Sequence, residues 1–200
     1  MALNSNALIS LDDIREALGL DNEEVKDDGF IINLINRVST RIESYCGRTF
    51  AASYYTEYHD GDGTSEVLLN QYPITHVSGM WDDIDRDFGD DCVVDSDDYL
   101  IYANEGRLSL YNDETTFLVG RQNIKVCYSG GYTDIPEDLK QACVDLALTS
   151  YRKNKEKIHG VMSRTTAGGA SAMYDLREIP ADVKAILDTY KKSKTNSERY

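Results

Sequence analysis

Ser129-Gly130-Gly131-Tyr132-Thr133-Asp134-Ile135-Pro136-Glu137-Asp138-Leu139-Lys140-Gln141-Ala142 is the stretch on which the reading of the fold turns. The residues leading into it repeat every two positions, with Ile124, Val126 and Tyr128 opposed to Lys125 and Cys127, as in a half-buried strand. The residues leaving it repeat as a helix. Pro136 sits in the first helical turn, and Glu137 and Asp138 lie beside the positive end of the helix dipole, which together make a start signal. Leu139, Ala142, Cys143, Leu146, Ala147 and Tyr151 then form one apolar stripe. No GK[ST] follows Gly130-Gly131, so the glycine pair reads as a turn and not as a phosphate cradle.

Toward the N-terminus, Ser10-Leu11-Asp12-Asp13 reads as a helix cap, followed by Ile14, Ala17 and Leu18 at helical spacing and Gly19 as a stop. After an acidic linker from Asp21 to Asp28, Ile31, Leu34, Ile35, Val38, Ile42 and Tyr45 predict about four helical turns, closed by Gly47 as C-cap. Arg37, Arg41 and Arg48 lie off this stripe, either as solvated cations or as contacts to an acidic neighbouring subunit. From Tyr54 the period falls to two. Tyr54, Thr56 and Tyr58 share a face, Asp60-Gly61-Asp62-Gly63 supplies turn chemistry, and Glu66 to Leu69 follows, a pattern that predicts a β-hairpin. Further strands are expected at Ile74 to Trp81, Tyr99 to Ala103, Arg107 to Tyr111 and Asn123 to Tyr128.

Beyond the long helix, the charged run Lys153 to Lys157 frays the end, and the segment 160–173 buries too little apolar area to order itself, so a mobile loop is expected there. Ile179-Pro180-Ala181-Asp182 repeats the helix-start signal, and Val183, Ile186, Leu187 and Tyr190 complete a final stripe. The expected class is therefore α+β, mainly α: a helical bundle of about four helices with an inserted small, mostly antiparallel β-sheet subdomain. The expected divisions are 1–53 for the N-terminal helices, 54–132 for the β-rich insertion with an acidic loop at 82–98, and 133–200 for the C-terminal helices, the loop and a basic tail.

The net charge of −14, from 35 acidic and 21 basic residues, opposes adhesion to DNA or to anionic membrane. The imbalance is uneven, because the last ten residues carry +3 and the rest −17. Such a tail is either a solvated terminus or a docking segment. The fourteen tyrosines suit sheet faces and protein interfaces equally. No run approaches a membrane span, and Met-Ala-Leu-Asn-Ser-Asn-Ala lacks the basic and apolar regions of a secretion signal. Cys46, Cys92, Cys127 and Cys143 have no metal-ligand spacing; Cys127 and Cys143 are expected to be small buried hydrophobes in a reducing cytoplasm.

The densest polar cluster is Asp82, Asp83, Asp85, Asp87, Asp90 and Asp91, extended by Asp95, Asp97 and Asp98. Set against a calcium loop it puts Phe88 where the sharp turn requires glycine and Val94 where a bidentate glutamate is required. A solvated acidic loop is the better reading, and a calcium- or glycan-binding module stands as the alternative. His59, His76 and His159 are scattered, with no nucleophile elbow or triad signature. No enzyme, cofactor or metal site is expected.

Four segments, in order and spacing, resemble the head-tail connector (adaptor) proteins of tailed bacteriophages. They are Ile42-Glu43-Ser44-Tyr45-Cys46-Gly47-Arg48-Thr49-Phe50; Tyr58-His59-Asp60-Gly61-Asp62-Gly63-Thr64 with Leu68-Leu69 and Tyr72-Pro73-Ile74; Tyr128 to Ala142; and Ile179-Pro180-Ala181-Asp182-Val183-Lys184. The likeness runs from about Leu8 to Lys192. It implies a structural virion protein of the neck, assembled in the host cytoplasm. It also implies self-association as a ring, commonly a dodecamer, beneath the portal protein. Such a ring extends the DNA channel, lets DNA pass without sequence-specific binding, and offers a platform to tail or neck (head-completion or stopper) proteins, with no membrane partner. By the same resemblance Tyr190, Lys191, Lys192, Lys194, Arg199 and Tyr200 form a portal-docking tail. Arg37, Arg41 and Arg48 are candidate subunit contacts, and the Asp82 to Asp91 cluster faces the lumen or the outer rim. The acidic insertion at 82–98 is longer than in the plainest members of that family.

Overall fold

The computed structural model describes residues 2–20, 28–112, 114–155, 163–165, 171–173 and 179–191. The chain divides into two compact units, one from Met1–Gly47 with Ile135–Lys191, the other with its described residues at 48–134. The first unit holds four helices: α1 (Leu11–Leu18), α2 (Asp28–Cys46), α3 (Glu137–Lys155) and α4 (Ala181–Thr189). The second holds strands β1 (Ser53–Gly61), β2 (Glu66–Leu68), β3 (Ile74–Asp82), β4 (Val93–Val94), β5 (Tyr99–Tyr102), β6 (Arg107–Leu110) and β7 (Gly120–Gly130). Two further short strands, β8 (Ser163–Thr165) and β9 (Ser171–Met173), follow α3. The class is α+β.

The helical unit forms where the periodicity places it. Ser10 caps α1, its hydroxyl accepting from the Asp13 N–H while the Asp13 carboxylate accepts from the Ser10 N–H, and Gly19 ends the helix in the left-handed region. On α2 the buried set is Ile31, Leu34, Ile35, Val38, Ser39, Ile42 and Cys46. Every stripe residue of α3 from Leu139 to Tyr151 is buried, and α4 contributes Val183 and Leu187. Fully burying each such aliphatic side chain is worth about 1.5–3 kcal/mol before the entropy of ordering it is subtracted. Ser39 is polar yet buried, and it works as a tie. Its Oγ accepts the Leu8 N–H at 3.1 Å and lies 4.0 Å from Cys143 Sγ, fastening the N-terminal segment to α2. Burial pushes the Cys143 thiol up to about 12, so it stays protonated as a small apolar group. Cys127 is buried as well.

The β unit departs from the expected order. β1 does not form a hairpin with β2; it pairs antiparallel with β7 from Ser53↔Gly130 to Gly61↔Gly120, while β2 pairs with β6. The two sheets run β1-β7-β3-β4 and β2-β6-β5. The physical reason lies just past β1. The Gly61 N–H is taken by Asn123 Oδ1 at 2.9 Å, Thr64 O accepts from Phe117 N–H at 2.9 Å, and Ser65 O accepts from Leu110 N–H at 2.8 Å. Those bonds draw the Asp62 to Ser65 turn away from β1 and hand β2 to the second sheet. Between the sheets lies one core of Val67, Leu69, Ile74, Met80, Tyr99, Leu108, Leu110, Phe117, Ile124, Val126 and Tyr128.

Strand β3 is irregular, with register shifts against β7 between Ile74 and His76 and between Val77 and Gly79, and His76 is exposed. On β1 the shared face of Tyr54, Thr56 and Tyr58 is the exposed one; Tyr55, Glu57 and His59 point inward. Within the segment 160–173, expected as a loop, Ser163–Thr165 and Ser171–Met173 pair antiparallel, so their backbone groups are satisfied by a ladder; the remainder of that segment and the linker residues 21–27 lie outside the described residues.

Gly131 explains the central turn. Its φ is 106°, and a Cβ there would meet the Ala51 carbonyl oxygen at 2.7 Å, where the chain forms a parallel bridge between Ala51 and Tyr132.

Candidate assembly surfaces

On the helical unit, α2 and the N-terminal segment enclose a shallow groove of about 410 Å³ lined by Asn4, Asn36, Arg37, Thr40 and Arg41. Its walls are held by hydrogen bonds: Asn4 N–H to Asn36 Oδ1 at 2.9 Å, Asn36 Nδ2 to Ala2 O at 3.2 Å, and Thr40 Oγ1 to Asn36 O at 2.9 Å. Arg37 and Arg41 are one helical turn apart, so both guanidinium groups reach the same opening. Arg37 is exposed, and among the described residues it has no ion-pair partner. Glu43, the next acid along α2, accepts from Asn6 Nδ2 at 2.5 Å.

Arg48 is placed differently from the subunit contact expected of it. Its side chain is 4% exposed, with its guanidinium carbon 3.5 Å from the centre of the Tyr72 ring and near Phe50 and Tyr132. Nε and Nη2 are buried with no hydrogen-bond acceptor among the described residues. The cation is spent on aromatic faces within its own chain, because the turn after Gly47 points it into the β unit.

The acidic cluster is two populations. Asp83 is 5% exposed, and its carboxylate accepts N–H groups from Asp85 at 2.9 Å and Phe88 at 2.7 Å. The Phe88 N–H bond foremost holds its pKa below the usual aspartate range, against the opposing effect of burial. Asp82 accepts from the Leu118 N–H at 2.8 Å and from Asn123 Nδ2 at 3.0 Å; desolvation nonetheless raises its pKa. Both acids serve as scaffolding, Asp83 buried and Asp82 half-buried, which corrects the reading of them as solvated surface charge. Asp85, Asp87, Asp90 and Asp91 are exposed. Phe88 braces the turn, its ring 5.5 Å from Tyr58 and 5.3 Å from Lys125 Nζ. Arg86 and Phe88 both have positive φ, at 63° and 51°, tolerated because Asp83 collects the N–H groups around them. With both scaffold carboxylates committed to N–H donors, no gathering of three or more His, Cys, Asp or Glu side chains able to hold a metal ion occurs among the described residues.

A second polar network was not legible beforehand. Glu57, on the inward face of β1, accepts from Tyr128 Oη at 2.6 Å, from Asn70 N–H at 3.0 Å and Asn70 Nδ2 at 2.8 Å, and lies 2.9 Å from His59 Nε2. Burial pushes its pKa up, but these hydrogen bonds, led by His59 and then Tyr128, outweigh burial and leave it lowered. Tyr128 is pushed up, first by burial and then by Glu57. The signal that could have found it is a carboxylate at an inward position between Tyr55 and His59.

At the other end of the chain, Tyr190 Oη donates to Asp138 at 2.6 Å, and Lys191 Nζ lies 3.0 Å from Asp188 and 4.2 Å from the Tyr45 ring. The ion pair with Asp188 raises the Lys191 pKa. Both residues therefore fasten the end of α4 to its own helical unit. Lys192, Lys194, Arg199 and Tyr200 lie outside the described residues. No described helix is long and apolar enough to cross a membrane.

A family model described as "Head completion protein" matches residues 7–193. The chain belongs to the head completion protein family. That agrees with the resemblance to phage connectors carried by the four sequence segments. No curated protein matches the sequence. Among solved structures, a chain in the neck of an empty gene transfer agent (GTA) particle, computed with C6 symmetry, has a TM-score of 0.62 at 14% identity, covering 98% of this chain and 94% of that one. A chain in the neck of a native GTA particle, computed with C12 symmetry, has a TM-score of 0.60 at 15% identity over the same shares. A chain of the native GTA virion has a TM-score of 0.60 at 16% identity, covering 100% and 97%. At such identities these matches establish a shared fold for this head completion protein.

Proposed function

We propose that this head completion protein is a structural component of the virion neck. In this reading it assembles as a ring beneath the portal, prolongs the DNA channel and presents the platform on which the tail or further neck proteins attach. The observation that carries the reading is the family match over residues 7–193, supported by a fold shared with neck chains over nearly the whole chain. Ring assembly is supported by the six- and twelve-fold symmetry under which those necks are described. The charge balance suits a conduit, because a surface of net charge −14 repels phosphate and keeps passing DNA from sticking. The role is architectural, not catalytic, and its partners are the portal ring, neighbouring copies and the next neck or tail protein. Residues 192–200, with their basic excess, are the segment we assign to portal docking, and Arg37 and Arg41 we assign to the contact between copies.

Deletion of the gene tests this. Electron microscopy of the lysate should show heads and tails accumulating separately, with joined particles restored by supplying the chain in trans. Normal tailed particles in its absence would overturn the proposal.

A further inference from the structure

We infer that strand β5 of one copy pairs edge to edge with strand β1 of the next, so that a backbone ladder joins the β units of neighbouring copies. The inference rests on the ring assembly proposed above and names two faces for it, since a closed head-to-tail ring needs two different, complementary patches on every subunit. Both edges belong to the β unit. In the sheet order β2-β6-β5, β5 has a neighbour on one side only, and in β1-β7-β3-β4 the same holds for β1. An open edge is a row of backbone donors and acceptors that an added strand can satisfy, and proteins blunt such edges with short strands, charges, prolines or bulges. β2 and β4, of three and two residues, are blunted by shortness. β5 is not. Its sequence Tyr99-Leu100-Ile101-Tyr102 carries no charge or proline, its pairing with β6 has no register shift, and Ile101 is 47% exposed. β1 opens with Ser53-Tyr54-Tyr55-Thr56, equally uncharged, with Tyr54 58% exposed; its register shift comes later, between His59 and Gly61.

The two edges match in spacing. Tyr111 N–H donates to Asp98 O at 2.7 Å, so along β5 the backbone groups of Leu100 and Tyr102 turn toward β6 and those of Tyr99 and Ile101 turn outward. Asp83 N–H donates to Asn123 O at 2.9 Å, so on β7 Ile124, Val126, Tyr128 and Gly130 turn toward β1, which leaves Tyr54 and Thr56 turned outward on β1. Tyr99, Ile101, Tyr54 and Thr56 have no backbone partner on that side among the described residues. They match in place and direction as well. β1 passes into β2 through residues 62–65, and the Asn70 N–H returns to the Glu57 carboxylate midway along β1, so β2 runs back beside β1. β4 passes into β5 through residues 95–98. β1 and β2 therefore close one flank of the two sheets, and β4 and β5 the other. β2 and β5 are both antiparallel to β6, so β5 runs opposite to β1. Copies set side by side in one orientation thus bring β5 against the next β1 as an antiparallel pair, with Tyr99 opposite Thr56 and Ile101 opposite Tyr54. The Ile101–Tyr54 pair sets a β-branched side chain against an aromatic one, a favourable cross-strand contact.

The test uses particles assembled with variant chains. In this register Ser53 of one copy lies opposite Tyr102 of the next at a position without ladder bonds, where Cα atoms stand about 4.5 Å apart, within reach of a disulfide. Ser53→Cys combined with Tyr102→Cys should give, under mild oxidation, a ladder of linked copies on a non-reducing gel. An equal mixture of the two single variants should give dimers only, and each single variant alone should give neither. Ile101→Pro supplies a second readout that does not depend on the cysteines. It removes an N–H that has no acceptor in its own chain, so the urea midpoint of the purified chain should stay where it is, while the yield of joined particles should fall about tenfold. Rings visible in the necks with no ladder, and with Ile101→Pro harmless to yield, would overturn this pairing while leaving the ring intact. Cross-links that join the chain to a different neck protein instead of to a second copy would also overturn it. Necks in which the chain forms no ring at all would overturn the ring reading itself, and this pairing with it.

Discussion

Asn123→Ala is expected to destabilise the β unit by about 3–5 kcal/mol, a figure that follows from three hydrogen bonds. Asn123 is 0% exposed, near the start of β7, where it binds Gly61 N–H at 2.9 Å, Leu118 O at 2.8 Å and Asp82 Oδ1 at 3.0 Å. Removing the amide leaves the buried Gly61 N–H without an acceptor, at about 1–3 kcal/mol. The bond to the Asp82 carboxylate is worth about 1.5–3 kcal/mol and the bond to Leu118 about 1 kcal/mol, with part of both recovered by water at their exposed edges. The assay is urea denaturation followed by the fluorescence of Trp81, the one tryptophan in the sequence, which lies on β3 beside Asp82. With a slope of about 2 kcal/mol per molar urea, the midpoint should fall by about 1.5–2.5 M. A loss below about 1 kcal/mol would refute the view that Asn123 knits this end of the unit. Asn123→Asp is the electrostatic control. It keeps an acceptor for Gly61 but sets a second carboxylate against Asp82, whose pKa is already raised by desolvation. The variant should therefore be weak at neutral pH and regain stability as the pH falls and that pair takes up a proton.

Glu57 titrates with the opposite sign: its folded pKa is lowered, so its stabilisation is complete above the ordinary glutamate pKa and is lost as the pH falls through the lower folded value. Glu57→Gln should flatten the acid limb of the Trp81 unfolding profile, and an unchanged limb would contradict that role. Gly131→Ala should cost about 2 kcal/mol or more, since both the positive φ and the Ala51 carbonyl oppose a Cβ; calorimetry checks it, and a neutral result would mean the turn can move. Arg48→Ala should cost about 2–4 kcal/mol through lost packing over Tyr72, while Arg48→Met, which keeps the volume and removes a buried cation with unbonded nitrogens, should cost less than half as much in urea titration.

The helices were legible because each carries its own signals within a few residues. Ser10 and Asp13 close a box, Pro136 opens α3, and every stripe position named on α3 is buried. Strands β1, β2, β3, β5, β6 and β7 were legible as strands but not as partners, while β4, β8 and β9 fall in segments read as loop. Nothing local to Tyr54–Leu69 says that β1 will pair with residues some seventy positions later, and the Asp-Gly turn favours the hairpin that long-range bonds from Asn123, Phe117 and Leu110 override. The acidic cluster was read by composition, which cannot tell Asp83, consumed by N–H groups, from Asp85, which faces water. Arg48 misled for a related reason: its place off the helical stripe suggested solvent, and only the tertiary position of Tyr72 shows where the cation goes.

The most direct measurement is cosedimentation of the purified chain with portal rings from the same genome, followed by electron microscopy of the pellet. The account predicts stoichiometric capture as a ring stacked on the portal. A well-folded chain that stays in the supernatant, with the portal rings bare, would contradict it.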